Sequence, residues 1–226
     1  MATATNKKLI VTVDGVIGAG KTTTARAVAQ ALGYRHIDTG AFYRAVTLAA
    51  MRAGIHPTDE CVAEWVTTLK IIQDESKGRV LTMINGEDVS DEIRRPEVSR
   101  NVGAFADLVT IRKALIDHQQ YVGREGGVVA DGRDAGTVIF PDADLKVVMT
   151  ANLETRAQRR YQELSKKGVN TTLQQVTADI RTRDRQDSKR NYGATHGDDA
   201  VILDTTDMTI AQQVDQIVEW ARKQSA

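Results

Sequence analysis

Eight residues near the start of the chain constrain its fold more than any other feature: Gly15–Thr22 reads GVIGAGKT. A short apolar run, Leu9–Val13, precedes this stretch, and a helical pattern follows it through about Leu32. Two glycines five positions apart, followed by lysine and a hydroxyl residue, are typical of a loop whose backbone N–H groups surround a phosphate. The helix that begins there adds positive potential, the lysine reaches the terminal phosphates, and a threonine hydroxyl can bind Mg²⁺. The sequence therefore predicts a nucleoside triphosphate site that comprises Gly15, Gly18, Ala19, Gly20, Lys21, Thr22 and Thr23.

Apolar runs and helical patterns alternate along most of the chain. The runs predicted as strands are Leu9–Val13, Tyr34–Asp38, Val128–Asp131, Leu145–Thr150 and Ala200–Asp204. Strands that alternate with helices pair in parallel through right-handed crossovers, which predicts an α/β fold with one five-stranded parallel sheet flanked by helices. Ligands of such sheets bind at the carboxyl ends of the strands.

Two segments interrupt this alternation. In residues 54–98, the apolar run Val80–Ile84 is followed by Asn85-Gly86, a strong hairpin signal, which predicts a small β-containing insert. Residues 165–172 are polar, contain a glycine and lie between two helical patterns. This second segment is either a mobile lid or an ordinary surface loop.

Length and composition limit the class of protein. A chain of 226 residues fits one core domain with insertions, and a formal net charge of +0 disfavours a non-specific nucleic-acid binder. Cys61 is the only cysteine, so an internal disulfide is excluded. No apolar run has the length of a membrane span, and the N-terminal stretch lacks a signal-peptide core, which together predict a cytoplasmic protein. The absence of an NKxD tetrapeptide disfavours a GTPase.

Charged side chains follow two of the predicted strands, where a bound nucleotide is expected. Arg44 lies one turn into the helix after the second strand, and Thr39 can cap that helix. The third strand ends at Asp131, which either holds Mg²⁺ through water or caps a turn. Arg133 and Asp134 follow it, and they either bind a ligand or pair with each other.

Two later helical stretches carry further arginines. In Val176–Arg190, one face changes from apolar to charged and either enters a polar cavity or carries solvated ion pairs. The residues on this face are Val176, Ile180, Arg183, Asp187 and Arg190. The stretch 153–167 carries Arg156 and Arg160 opposite its apolar side, with Arg159 adjacent. These three arginines either fold over a donor triphosphate or form ordinary surface charge.

Arg112 lies within an apolar helical stripe and needs an anionic or hydrogen-bonding partner. The apolar residues of the stripe are Val98, Val102, Phe105, Val109 and Ile116. The partner of Arg112 is either a protein carboxylate or a ligand. The arginines and Lys21 would surround the bound phosphates, position them and neutralise their charge. Phosphoryl transfer needs these effects rather than a covalent nucleophile.

Together these segments resemble the bacterial cytidylate kinases, a family of nucleoside monophosphate kinases, over nearly the whole chain. The segments that carry the resemblance are the phosphate loop, DTGAFYR (Asp38–Arg44), NGEDVSDEIR (Asn85–Arg94), IRKAL (Ile111–Leu115), DGRDAGTVIFPDADLK (Asp131–Lys146), RRYQELSKKG (Arg159–Gly168), RDRQDSKR (Arg183–Arg190) and VILDTT (Val201–Thr206). Their order and spacing are specific in combination. The resemblance implies a P-loop kinase fold and Mg²⁺-dependent transfer of the γ-phosphate of ATP to CMP or dCMP.

The resemblance also implies roles for the matched residues. Those implied in catalysis are Lys21, Arg133, Arg183 and Arg190. Those implied in CMP binding are Thr39, Arg44, Arg112, Arg133, Asp134, Asp187 and Arg190, with Arg112 and Asp134 on the cytosine edge and Asp187 on the sugar hydroxyls. Those implied in ATP binding beyond the loop are Arg156, Arg159, Arg160 and Thr205, and those implied in Mg²⁺ binding are Thr23 and Asp131. The insert would bind the monophosphate, residues 165–172 would form the lid, and the protein would be a monomer whose partners are nucleotides, without nucleic acid or membrane.

The chain departs from the family pattern in the phosphate loop and near Arg112. Val16-Ile17 and Thr22 make the loop closer to that of deoxynucleoside kinases, and Thr22 competes with Thr23 as the Mg²⁺ ligand. Gly103 replaces a base-contacting serine that the family places nine residues before the arginine. Residues nine apart on one helix face opposite sides, which predicts a break near residues 106–107. Another nucleoside monophosphate, a deoxynucleoside, or a weakly active nucleotide-binding module therefore stays as an alternative.

Overall fold

The computed structural model of the chain describes residues 8–76, 79–188 and 197–225. Within these ranges the strands are β1 (Ile10–Gly15), β2 (Arg35–Asp38), β3 (Ile71–Ser76), β4 (Arg79–Ile84), β5 (Glu87–Asp88), β6 (Val128–Asp131), β7 (Leu145–Thr150) and β8 (Val201–Asp204). The helices are α1 (Lys21–Leu32), α2 (Thr39–Ala53), α3 (Val62–Thr67), α4 (Pro96–Ala106), α5 (Val109–Gly123), α6 (Leu153–Lys166), α7 (Leu173–Ser188) and α8 (Ile210–Gln224). The described residues form two compact units, one from residues 8–35 with 126–188 and 197–225, and one from residues 36–76 with 79–125.

A five-stranded parallel sheet has the order β2-β6-β1-β7-β8, which confirms the predicted α/β class and all five predicted strands. β1 is central: Val13 pairs with Asp131 of β6 and with Val147 of β7. Val11 and Val13 are completely buried, as the continuous apolar run in the sequence requires of a strand covered on both faces. Because β1 and β6 are parallel neighbours, the loops that follow them leave the same edge of the sheet.

Helices α1 and α8 pack together in the core of the first unit. Its buried residues include Val28 of α1, Met149 of β7 and Ile217 of α8. A buried hydrogen bond also joins the two helices, because the Thr24 hydroxyl donates to Gln213 Oε1 at 2.6 Å. Among the helices that the structure describes, none is long and apolar enough to cross a membrane.

The second unit carries a three-stranded antiparallel sheet in the order β3-β4-β5. The predicted hairpin is present: Asn85 and Gly86 connect β4 to β5, and Asn85 has a left-handed φ of 52°. Residues 54–98 lie wholly within this unit. The predicted cap of α2 was wrong, because Asp38 rather than Thr39 precedes the helix and its Oδ1 accepts from the Ala41 N–H at 2.9 Å.

The predicted break between residues 106 and 107 is confirmed by the gap between α4 and α5. The single apolar stripe predicted across this region was wrong, because it joined residues of two separate helices. Val109, at the start of α5, is 78% exposed. The buried face of α5 instead runs through Ile111, Leu115 and Gln119.

Candidate active site

The phosphate loop connects the end of β1 to the start of α1. Gly15 has a φ of 140°, and a Cβ added there would lie 2.0 Å from the carbonyl oxygen of Met149 on β7, so only glycine fits. Lys21 begins α1, and its Nζ donates to the Val16 carbonyl at 2.7 Å, which folds the lysine back over the loop. The predicted strand–loop–helix context of the motif is confirmed.

Val16 and Ile17, two of the loop residues that depart from the family pattern, have packing roles. Val16 packs against the core between α1 and α8. Ile17 packs against a smaller apolar cluster that contains Ala157 of α6 with Val176 and Ile180 of α7. The bulky side chains therefore attach the loop to two neighbouring parts of the first unit.

A threonine and an aspartate meet beside the loop. The Thr22 hydroxyl donates to Asp131 Oδ2 at 2.6 Å, and Asp131 ends β6 with only 3% of its surface exposed. Hydroxyl and carboxylate oxygens are ligands that Mg²⁺ prefers, so the chemistry of this pair fits the ion. Thr22 and Thr23, the predicted ligand, are both exposed, and it is Thr22 that the structure brings together with Asp131.

The loop after β6 carries the predicted acceptor residues. Arg133 forms an ion pair with Asp187 of α7. The arginine thus meets a carboxylate 54 residues away, while the sequence suggested its neighbour Asp134 as the protein partner. Asp134 is itself buried and precedes a π-helical turn, Ala135–Ile139. The pair joins two residues that were predicted to contact the same acceptor nucleotide.

Asp14, which the sequence reasoning did not select, lies buried at the end of β1. Its Oδ1 accepts from the Ala135 N–H at 2.9 Å, and its Oδ2 accepts from the Gly136 N–H at 2.7 Å. Burial raises the pKa of Asp14 to about 6, although these two hydrogen bonds oppose the rise. A carboxylate at the end of an apolar strand, directly before a glycine loop, is the sequence signal that could have identified it.

Arg156 of α6 is buried rather than free to reach a ligand, contrary to the predicted orientation. Its Nε donates to the Ala151 carbonyl at 3.0 Å, and its Nη1 donates to the Ile17 carbonyl of the phosphate loop at 3.2 Å. The guanidinium also donates to both carboxylate oxygens of Asp184 on α7, at 3.1 and 2.9 Å. Arg156 therefore links the phosphate loop, α6 and α7.

Arg159 and Thr205 form a second support beneath the phosphate loop. Arg159 Nη2 donates to the Thr205 carbonyl at 2.6 Å and to the Met208 carbonyl at 3.3 Å. The Thr205 hydroxyl is completely buried and lies 3.1 Å from the carbonyl oxygen of Ala19. In this structure both side chains belong to the scaffold. Arg160, by contrast, forms an exposed ion pair with Glu163 at 2.6 Å.

Helix α7 bears the face that the sequence predicted. Val176 and Ile180 are buried, whereas Arg183 and Asp187 are partly exposed on the same face. Arg190, predicted at the end of this face, lies outside the described residues. The predicted lid, residues 165–172, spans the connection from the end of α6 to the start of α7, and its role as a lid stays a prediction.

Within the second unit, Arg44 and Arg112 have separate surroundings. Arg44 Nη1 donates to the Ser99 hydroxyl at 2.8 Å and to the Ile93 carbonyl at 3.3 Å. Arg112 lies over the ring of Tyr43, with its guanidinium carbon 5.7 Å from the ring centroid. Thr39 is buried in the first turn of α2. Their contacts with CMP stay predictions.

Comparisons with known proteins give the family. A sequence model of the cytidylate kinase family matches residues 11–223. The chain is 42% identical over 225 residues to the cytidylate kinase of Geobacter sulfurreducens, covering 99% of this chain and 97% of that protein. It is 42% identical over 223 residues to the cytidylate kinase of Salinibacter ruber, covering 96% of this chain and 98% of that protein. A crystal structure of an uncharacterized protein from Eubacterium ventriosum shares the fold, with a TM-score of 0.52 at 12% identity over 96% of this chain and 99% of that chain. The chain therefore belongs to the cytidylate kinase family.

Proposed function

We propose that the protein transfers the γ-phosphate of ATP to CMP or dCMP and releases ADP with CDP or dCDP. One observation carries the proposal: the phosphate loop follows β1, Asp131 ends the neighbouring parallel strand β6, and Arg133 follows β6. The Thr22–Asp131 hydrogen bond joins the start of α1 to the end of β6. This edge of a parallel sheet is where ligands bind. Membership of the cytidylate kinase family supports the choice of a cytidine monophosphate as acceptor.

The loop and Lys21 are proposed to hold the triphosphate of ATP. Backbone N–H groups of Gly18, Ala19 and Gly20 would donate to its oxygens, and Lys21 would exchange the Val16 carbonyl for the terminal phosphates. Thr22 and Asp131 would hold Mg²⁺. When bound, that ion neutralises charge on the phosphate oxygens.

The Arg133–Asp187 pair is proposed to serve the acceptor. Arg133 would donate to the phosphate of CMP, and Asp187 would accept from the sugar hydroxyls. Their mutual ion pair fixes both side chains before the acceptor binds, which lowers the ordering cost of binding. Arg183, on the same face of α7 as Asp187, would stabilise the charge that spreads over the transferred group. Arg190 is assigned the same role as Arg183 by its resemblance to the family alone.

The arginines of α6 are proposed to divide into two roles. Arg156 and Arg159 already donate to protein oxygens in and around the phosphate loop, so we assign them to shaping the ATP site. Arg160 is exposed and its partner Glu163 lies on the same helix, so it can exchange that partner for ATP at little cost.

Arg44, Arg112 and Asp134 are proposed to contact the acceptor through its phosphate and base. The hydrogen bonds from Arg44 to Ser99 and Ile93 hold its guanidinium in one orientation. Gly103 stands in place of the serine expected from the family and supplies no side-chain hydrogen bond to the base. Because one contact that would distinguish cytosine from uracil is then missing, we propose UMP as a weaker second acceptor. We retain a cytoplasmic monomer as a further prediction.

Steady-state kinetics of Arg133→Ala test the acceptor assignment. Removing a guanidinium that binds the acceptor phosphate should lower kcat/KM for CMP by at least about 100-fold, because a hydrogen bond between charged groups is lost at the reacting end. Arg185→Ala is the matched control, since Arg185 is an exposed arginine on α7. We expect the control to retain normal kinetics. Near-normal turnover of CMP by Arg133→Ala would refute the assignment.

A further inference from the structure

We propose that Asp14 is a positioning residue that holds the loop 133–136 in the shape in which Arg133 meets the acceptor. The inference rests on the proposed function, since it takes Arg133 as an acceptor contact. Asp14 is the last residue but one of the central strand, and the two oxygens of its carboxylate accept from consecutive backbone N–H groups, Ala135 at 2.9 Å and Gly136 at 2.7 Å. These bonds attach the loop after β6 directly to β1.

The loop can approach β1 this closely because residue 136 is glycine. A Cβ added to Gly136 would lie 2.5 Å from Thr12 Oγ1 and 3.4 Å from Asp14 Oδ2. Thr12 and Asp14 are two residues apart on one strand, so they project from the same face. Any side chain at position 136 would therefore push the loop away from the carboxylate that holds it.

A carboxylate is the group that this geometry requires. It offers two acceptor oxygens, whereas the amide of asparagine offers one acceptor and one N–H₂ donor. If asparagine replaced Asp14, its N–H₂ group would face one of the two backbone N–H groups, and two donors would then oppose each other. Burial disfavours the charge of Asp14, and Asp134 adds repulsion, while the two N–H groups and Lys21 favour it. At neutral pH, above its pKa of about 6, the carboxylate is ionised and accepts from both N–H groups.

The loop transmits the position of Asp14 to the acceptor residues. Ala135 and Gly136 follow Arg133 by two and three positions, and Arg133 in turn pairs with Asp187. The two hydrogen bonds of Asp14, the backbone of residues 133–136 and the Arg133–Asp187 ion pair thus connect β1 to α7. Loss of the Asp14 hydrogen bonds should misplace Arg133 without removing any group that touches a substrate.

Two variants break the same contact from opposite sides. Asp14→Asn removes one acceptor, and Gly136→Ala displaces the loop. We expect each to raise the KM for CMP by about 10- to 100-fold, the loss of one hydrogen bond to a charged group, and to leave the dissociation constant for ADP within about twofold. Thr12→Val is the matched control on the same face of β1, and it should behave as the wild type. Circular dichroism verifies that each variant is folded. If Asp14→Asn does not fold, Gly136→Ala still tests the same contact.

Combination with Arg133→Ala separates this inference from the proposed function. If Asp14 acts through Arg133, the KM for CMP of the double variant Asp14→Asn/Arg133→Ala should be less than about twofold above that of Arg133→Ala. A normal KM for CMP in Asp14→Asn and Gly136→Ala, equal weakening of ADP binding, or independent effects in the double variant would each overturn the positioning role. If Arg133→Ala itself had normal CMP kinetics, the acceptor assignment would fail first.

Discussion

Replacing Asp184 by alanine should destabilise the fold, because it leaves the Arg156 guanidinium buried without its carboxylate. Arg156 is 7% exposed, and Asp184 accepts two of its N–H bonds at 2.9 and 3.1 Å. Removing one partner of a fully buried ion pair costs about 3–5 kcal/mol. The side chain of Asp184 keeps 29% exposure, so water can reach the vacated position. We therefore expect the free energy of unfolding to fall by about 2–3 kcal/mol.

Urea unfolding at neutral pH measures this loss, provided that the slope of the transition is unchanged. Glu163→Ala is the control: Glu163 pairs with Arg160 at 2.6 Å and with Lys167 at 2.7 Å, yet all three side chains are at least 38% exposed. An exposed pair of this kind contributes less than about 1 kcal/mol. The double variant Arg156→Met/Asp184→Leu should recover most of the loss, since it removes both charges together.

An equal, small loss in Asp184→Ala and Glu163→Ala would refute the reasoning. It would mean that Arg156 does not depend on Asp184 in solution and is available to a ligand, as the sequence first suggested. The same conclusion would follow if Arg156→Lys left the free energy of unfolding unchanged and weakened ATP binding alone.

Three further predictions concern protonation, metal binding and the acceptor. Burial raises the pKa of Asp14 from 3.8 to about 6, so its contribution to stability is full below about pH 4 and lost as pH rises through about 6. The difference in free energy of unfolding between wild type and Asp14→Asn should therefore change by about 3 kcal/mol over this interval, and a constant difference would contradict the burial argument. Thr22→Val should raise the Mg²⁺ concentration for half-maximal activity about tenfold, whereas Thr23→Val should leave it within twofold; the reverse order would assign the ion to Thr23. Asp187→Asn should raise the KM for both CMP and dCMP about tenfold, and unchanged values for both would remove its role at the sugar.

Local signals were sufficient to predict the fold. The alternation of apolar runs and helical patterns predicted the five strands of the sheet. The central strand β1 and its neighbour β6 are buried apolar runs, whereas the edge strands β2 and β8 also contain exposed residues. The glycine loop and the turn at Asn85-Gly86 were also predictable, since both depend on backbone conformations that few residues adopt. The ends of strands differed by one or two residues.

Partners distant in the chain were not predictable. Arg156 looked exposed because its nearest sequence neighbours do not reveal Asp184, which lies 28 residues away on another helix. For Arg133 the sequence offered a ligand or its neighbour Asp134 as the partner, and the ion pair with Asp187, 54 residues away, was not foreseen. The place of Asp14 before the glycine loop was visible in the sequence, but its two backbone partners lie 121 and 122 residues away and were not predictable.

A comparison of acceptors tests most directly whether this protein phosphorylates a cytidine monophosphate. Coupled release of ADP would be followed with Mg²⁺ and ATP against CMP, dCMP, UMP, AMP, GMP and cytidine. We expect the highest kcat/KM for CMP and dCMP, a lower value for UMP, and no measurable turnover of cytidine, which lacks the phosphate that Arg133 is proposed to bind. Free cytidine or AMP as the best acceptor would contradict this expectation.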